Sequence, residues 1–133
     1  SHRTADLLPD LLQLLDSSDE EVIVAALKAL GAIGNPDAFK AVSQQLKHAS
    51  APVRIHAVRA LGALGGPMAM GLLVEALADL AFEVRRTAAQ SLAGIGEGGA
   101  SALEWVAKDP NADPFARDMA QGQLEWISQR GRA

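Results

Sequence analysis

Three stretches of the chain repeat nearly the same sequence at a fixed interval. They read VIVAALKALGAIG at residues 22–34, VRIHAVRALGALG at residues 53–65 and VRRTAAQSLAGIG at residues 84–96. The step from the first stretch to the second equals the step from the second to the third, and the first two stretches agree at seven positions. A fixed period of roughly 30 residues is typical of solenoids, in which each unit buries its apolar face only by stacking on its neighbours.

The spacing of apolar residues predicts two helices in each unit. In the first helix they recur every three or four positions, which places them on one face because a turn holds 3.6 residues. In the second helix a stripe with a spacing of four follows, as in Ala38, Val42 and Leu46. The fold class predicted is all-α, a right-handed α-solenoid with about eight helices.

The predicted boundaries make one domain over residues 1–133. A half unit at residues 5–16 precedes three full units. The full units are expected at residues 19–48, 50–79 and 81–108, and a closing helix at residues 113–129.

Residues with special backbone or capping properties mark the helix ends. Gly34, Gly65 and Gly96 close the repeated stretches and suit a left-handed C-cap, where a side chain would clash. Asp19 and Ser50 stand three residues before the first and second stretches, where a side-chain oxygen can accept hydrogen bonds from free amides. Ala81 holds that place in the third unit, so we expect no side-chain cap there.

Charge and hydropathy limit the classes of partner. Residues 1–21 carry a net charge of −5, residues 22–74 carry +4 and residues 75–113 carry −4. No block is basic enough to follow a phosphate backbone, so we expect no nucleic-acid partner. No apolar run approaches the roughly 18 residues of a spanning helix, so we expect no direct membrane contact. The expected location is cytoplasmic; the alternative is a soluble domain of a larger membrane-anchored protein.

The residues that usually build catalytic or metal sites are scarce. Cysteine is absent, which excludes disulfides and thiolate metal sites. The histidines are His2, His48 and His56. His48 and His56 are expected at the surface, with His56 on the solvent side of its helix. We therefore expect no catalytic residues, no cofactor and no metal.

The stretches VRIHAVRALGALG and VRRTAAQSLAGIG resemble the short HEAT-like repeats of phycobilin lyases and many bacterial adaptor proteins. The resemblance covers about residues 6–128. It implies that first helices form a convex face and second helices a concave face. It also implies that the arginine after valine, at Arg54, Arg85 and Arg117, bridges to an acid in a neighbouring unit.

The function implied by this resemblance is a non-catalytic protein-interaction scaffold or adaptor. The alternative is a subunit or fragment of a bilin-lyase-like enzyme or chaperone. A nucleic-acid-binding module is disfavoured by the charge balance. The implied partner is another protein or peptide, whose identity the sequence does not specify.

The outward positions of the second helices form the predicted binding surface. Residues at i, i+4 and i+7 share a face, and stacked units are expected to align these positions. The predicted partner-binding residues are Lys40, Gln44, Lys47, Glu75, Trp105 and Lys108.

Trp105 occupies a place in this surface that is polar in the other units. It stands in the row of Gln13, Gln44 and Glu75. Tryptophan is enriched at interface hot spots, so one interpretation is an aromatic anchor for a partner. The alternative is a structural residue that packs on the last helix or near Trp126.

The first predicted helix is unusually rich in leucine. The stretch LLPDLLQLL at residues 7–15 places leucine around more than half of the helix circumference. One neighbouring helix covers only one side of it. We therefore expect this helix to be an interior element of a longer array or a surface for self-association.

The scarcity of metal ligands leads to a first testable prediction. Protein purified without added metal is expected to contain no stoichiometric iron or zinc, because three scattered histidines cannot form an oriented ligand set. Elemental analysis by mass spectrometry checks this. One bound metal ion per chain would contradict it.

Overall fold

The structure is a computed structural model that describes the backbone of residues 2–131 and the side chains of residues 7–131. The described part is an all-α solenoid of paired helices with no strand, which confirms the predicted class. Its α-helices are α1 (His2–Leu14), α2 (Glu20–Ile33), α3 (Phe39–Gln44), α4 (Ala51–Leu64), α5 (Pro67–Ala76), α6 (Phe82–Gly94), α7 (Glu97–Lys108) and α8 (Pro114–Gly131). One-turn 3-10 segments, Pro36–Ala38 and Gln45–Lys47, flank α3.

The even-numbered helices are the first helices of the repeat, and the odd-numbered helices are the second helices. The chain divides into two compact units, Ser1–Leu64 and Gly65–Ala133, each with its own core. The repeat boundaries given above stay a prediction.

The first compact unit is built around the contact between α2 and α4. Gly31 of α2 makes this contact close, because a Cβ placed there would lie 3.3 Å from the Ala60 Cα. Helix α1 packs on α2, and α3 packs on α4. The largest fully buried side chains of this unit are Ile23, Leu27, Leu30, Val42, Val53, Val58 and Leu61.

The second compact unit packs α7 between α6 and α8. Its buried side chains include Leu73, Leu77, Leu92 and Leu103. Gly99 is also buried, at the position that Ala38 and Ala69 hold in the preceding repeats. A Cβ at Gly99 would overlap the carbonyl oxygen of Leu92, so only glycine lets α7 approach the end of α6 this closely.

The turns within the repeats confirm two of the three predicted glycine caps. Gly34 ends α2 in the left-handed conformation, and its N–H donates to the Leu30 carbonyl. Gly65 also has a φ of 70°. The prediction for Gly96 is wrong: α6 ends at Gly94, and Gly96 precedes α7 with a φ of 92° and a ψ of −147°.

The reason for the difference is that the third turn is one residue shorter. Gly66, which precedes α5, has a φ of 92° and a ψ of 165°. Gly96 takes the place of Gly66 before the second helix and has the same φ. The reason is that α7 begins one position earlier than the repeat interval, counted from the start of α5, predicts. The left-handed residue that Gly65 provides has no counterpart in the shorter turn.

The structure confirms the N-terminal cap predicted at Asp19, whereas the Ser50 hydroxyl donates to the Glu20 carboxylate at 2.6 Å. The Asp19 carboxylate accepts from the Glu21 N–H at 2.9 Å. Asp113 caps α8 in the same way, accepting from the N–H groups of Phe115 and Ala116 at 2.9 and 3.1 Å. Ala81 gives α6 no side-chain cap, as expected.

In α4, α6 and α8, but not in α2, where Ile23 holds the position, an arginine ties the first helix to the loop before it. The Arg54 guanidinium donates to the His48 carbonyl at 2.8 Å, and Arg85 donates to the Asp79 carbonyl at 2.9 Å. Each also donates to the next carbonyl along the chain. These carbonyls lie at or just past the C-terminal end of a second helix, where backbone acceptors lack helical partners. The bridge to an acid in a neighbouring unit stays a prediction.

Arg117 makes the same contacts across a longer loop. It donates to the carbonyls of Asp109 and Pro110 at 3.4 and 3.3 Å. Counted by the repeat interval from Arg85, Arg117 lies one position late. Counted in the same way from Asp79, Asp109 lies one position early. The segment that joins Asp109 to Arg117 is therefore two residues longer than the corresponding segment of the preceding repeat. Because α7 begins one position early, the net gain is one residue.

Gly99 provides a stability test with an internal control. Gly99→Ala is expected to lower the free energy of unfolding by about 3 kcal/mol, because the new methyl group meets a backbone carbonyl that cannot move freely. Gly71→Ala, at an exposed helical site with open space, is expected to raise it by about 0.5–1 kcal/mol. Urea denaturation measures both. A neutral Gly99→Ala would contradict the close packing.

Candidate functional site

Trp105 lies on the solvent face of α7. Its neighbours Leu103 and Val106 are buried, so the helix turns Trp105 away from the core. Its side chain is 69% exposed. The interpretation of Trp105 as a residue packed on α8 or near Trp126 is therefore wrong.

Trp105 lines a shallow cavity of about 390 Å³. Ser101 and Lys108 line it from the same helix face, and Glu104 and Asp109 add two carboxylates. The site thus combines an accessible indole with charges of both signs. Such a combination suits an apolar side chain flanked by polar groups.

Contacts behind α7 hold this face in place. Leu103 is fully buried, and Gly99 lets the first turn of α7 meet the end of α6. Near the last turn, the Gln121 side chain of α8 donates to the Ala107 carbonyl at 3.0 Å. Trp105 is therefore carried by a helix fixed near both ends.

The corresponding face of α3 and of the 3-10 segment that follows it carries two lysines. Lys40, Gln44 and Lys47 are exposed, whereas Val42 on the opposite side is fully buried. The Gln45 side chain donates to the Leu15 carbonyl at 3.5 Å, which joins this segment to the end of α1.

The remaining predicted rows are also exposed. Glu75 is exposed on α5, whose Leu73 and Leu77 sides are buried. The other outward positions of α1, α5, α7 and the turns that follow them are also exposed, namely Pro9, Gln13, Asp16, Gly71, Ala78, Ser101 and Lys108. That the rows align into one concave surface stays a prediction, as does self-association through the leucine-rich α1.

The sequence analysis missed a cluster of exposed apolar residues around Arg85. The Arg85 guanidinium carbon lies 5.7 Å from the Phe82 ring centroid and 4.8 Å from the Phe115 ring centroid. Leu80 is 97% exposed beside them in sequence. The available signal was that Leu80 and Phe82 stand where the preceding repeat has alanines, at Ala49 and Ala51.

The structure adds a neighbouring helix to the predicted surroundings of His56. His56 is half-buried and lines a shallow cavity on the outer sides of α2 and α4. Its placement follows from the small residues Gly31 and Ala60, which bring the two helices close together.

Within residues 2–131, no helix is both long enough and apolar enough to cross a membrane. In the same part of the chain, no three side chains of the metal-binding types come together.

Comparisons with known proteins agree with this architecture. The family described as HEAT repeats matches residues 1–51 and 39–125. The chain belongs to the HEAT-repeat family. Comparison with curated proteins gives no match.

Among solved structures, the chain is similar to an engineered protein with 27% identity and a TM-score of 0.53. It is also similar to a second engineered protein, with 26% identity and a TM-score of 0.49. A third similar structure is the complex of CpcE and CpcF of phycocyanin lyase from Nostoc sp. PCC7120, with 30% identity and a TM-score of 0.49.

These matches cover 90%, 89% and 90% of this chain, respectively. They cover 61%, 36% and 48% of the other chains, so this HEAT-repeat chain spans less than two thirds of each.

The exposure of Trp105 predicts a small effect on stability. Trp105→Ala is expected to change the free energy of unfolding by less than about 1 kcal/mol, as surface substitutions do. Leu103→Ala, two residues away and fully buried, is expected to cost about 2–5 kcal/mol. Chemical denaturation compares the two. A loss of about 3 kcal/mol or more for Trp105→Ala would make it a structural residue.

Proposed function

We propose that this chain is a non-catalytic interaction scaffold that binds a protein or peptide on the exposed faces of its second helices. The observation that carries the proposal is the exposure of Trp105, a large aromatic side chain left uncovered on a firmly held helix. Membership of the HEAT-repeat family supports it, because stacked helices present preformed surfaces.

Preformed surfaces have an energetic advantage for this role. A helix face needs no loop to become ordered when a partner arrives, so less conformational entropy is lost on binding. Trp105 adds a rigid apolar contact, and Glu104 and Lys108 beside it supply polar contacts at its rim.

The face of α3 adds a different kind of contact. Lys40 and Lys47 are both exposed, and Gln44 between them is a neutral hydrogen-bonding group. Acidic residues of a partner fit this face, whereas an apolar anchor residue fits the face of α7 that carries Trp105.

The deciding experiment measures partner affinity with matched tryptophan variants. The partner is isolated by capture on the immobilised chain, and its dissociation constant is then measured with purified components. Trp105→Ala is expected to weaken binding about thirtyfold, which corresponds to the roughly 2 kcal/mol of an interface hot spot.

The control for this experiment is Trp126→Ala. Trp126 is 52% exposed, and its ring stacks with the Arg130 guanidinium at 4.7 Å, away from the proposed face. It is expected to leave the affinity unchanged within twofold. Equal losses for both variants would contradict the site on α7.

Charge removal on α3 tests the second part of the proposal. Lys40→Gln with Lys47→Gln is expected to slow association and to flatten its dependence on salt, because exposed charges act mainly on the encounter rate. Stopped-flow or surface-binding kinetics at two salt concentrations measure this. An unchanged association rate would remove α3 from the site while leaving the role of Trp105 intact.

A further inference from the structure

A second surface with an unassigned role lies between two first helices. A shallow cavity of about 370 Å³ separates the outer sides of α2 and α4. Lys28 of α2 lines it, together with His56 and Arg59 of α4. Its floor and walls are formed by small or apolar residues, namely Leu27, Gly31, Ala32, Ala60 and Ala63.

The positive charges of this cavity are not neutralised within the described chain. None of the lining residues is acidic. Across residues 7–131, no ion pair joins Lys28 or Arg59 to a carboxylate. Lys28 also lines an adjoining cavity further along α2 together with Glu20 and Glu21, and Glu20 accepts from the Ser50 hydroxyl at 2.6 Å.

The protonation of His56 reports the same electrostatic environment. Burial lowers the pKa of His56 below its ordinary value, and the positive charges of Arg59 and then Lys28 lower that pKa further. Near neutral pH, the cavity therefore holds two permanent cations beside a neutral imidazole.

We propose that the cavity lined by Lys28, His56 and Arg59 binds the carboxylates of an acidic protein segment. An arginine and a lysine on adjacent helices supply charge-assisted hydrogen-bond donors, and arginine pairs with a carboxylate through two parallel bonds. The glycine and alanine walls leave room for the backbone of a partner to approach. This site lies on the first helices and does not depend on the proposed function of the second helices.

The charge distribution favours a short acidic segment over a long polyanion. Residues 22–74 carry a net charge of +4, but residues 1–21 of the same compact unit carry −5. A nucleic acid needs many cations along one face and would meet this acidic flank. A peptide with two or three carboxylates needs only the cavity.

The primary test uses fluorescein-labelled hexaglutamate as the probe, with hexaglutamine as the neutral control. Fluorescence anisotropy at low salt is expected to show saturable binding of hexaglutamate alone. Lys28→Gln with Arg59→Gln is expected to weaken it about fivefold to tenfold, since each exposed pair contributes a modest free energy.

The control variant removes the same charge elsewhere. Arg86→Gln with Arg130→Gln acts on exposed residues of the other compact unit and is expected to change the affinity less than twofold. Equal weakening by both double variants, or tighter binding of a single-stranded RNA than of hexaglutamate, would overturn the proposal.

The His56 resonance gives a second, independent measurement. Lys28→Gln with Arg59→Gln is expected to raise the pKa of His56 without any probe, because both cations lower it. In the unsubstituted chain, hexaglutamate is expected to raise the same pKa, because a bound anion stabilises imidazolium. A His56 pKa that hexaglutamate leaves unchanged in an NMR titration would place the peptide elsewhere and overturn the proposal.

Linkage fixes the sign of the pH dependence. Protonation of His56 adds a third cation, so affinity for hexaglutamate is expected to rise as the pH falls from about 7.5 to about 5.5, while free glutamate carboxylates stay ionised. The charged groups that face His56 in the cavity are Lys28 and Arg59; α3 contributes none. His56→Gln is expected to abolish this rise, and its persistence in that variant would overturn the role of His56.

Discussion

A two-helix repeat cannot bury its own apolar stripes, and this constraint shapes the whole chain. Each stripe needs a neighbouring helix, so some pairs of helices must approach closely. Small residues make this approach possible. Gly31 meets Ala60 in the first compact unit, and Gly99 meets the end of α6 in the second. Because packing occupies one side of each helix, the opposite side is left uncovered as a row of exposed residues.

The loops between repeats serve the same constraint. Arg54, Arg85 and Arg117 each bind two backbone carbonyls near the end of the preceding second helix. These carbonyls lack helical partners, and a guanidinium has enough donors to bind two of them at once. The arginine therefore fixes where the next first helix begins, even where the loop changes length.

Helical periodicity predicted most of the features that depend on which side of a helix a residue occupies. It placed Trp105 and the Lys40, Gln44 and Lys47 row on the solvent side, because side-chain direction repeats every 3.6 residues whatever the neighbouring helix does. It did not predict features that depend on contacts between helices. His56 is half-buried because α2 lies unusually close, and the stacking of Phe115 on Arg85 joins residues from different repeats.

The shortened turn at Gly96 affects where this chain can be joined to a related one in a chimaeric protein. A residue is lost before α7 and two are gained before α8, so α7 begins one position early and α8 begins one position late relative to the repeat interval. A chimaera joined within α7 would inherit one of these length changes without the other. A junction within α6 keeps both length changes on one side, and α6 is therefore the better place to join repeats from related proteins.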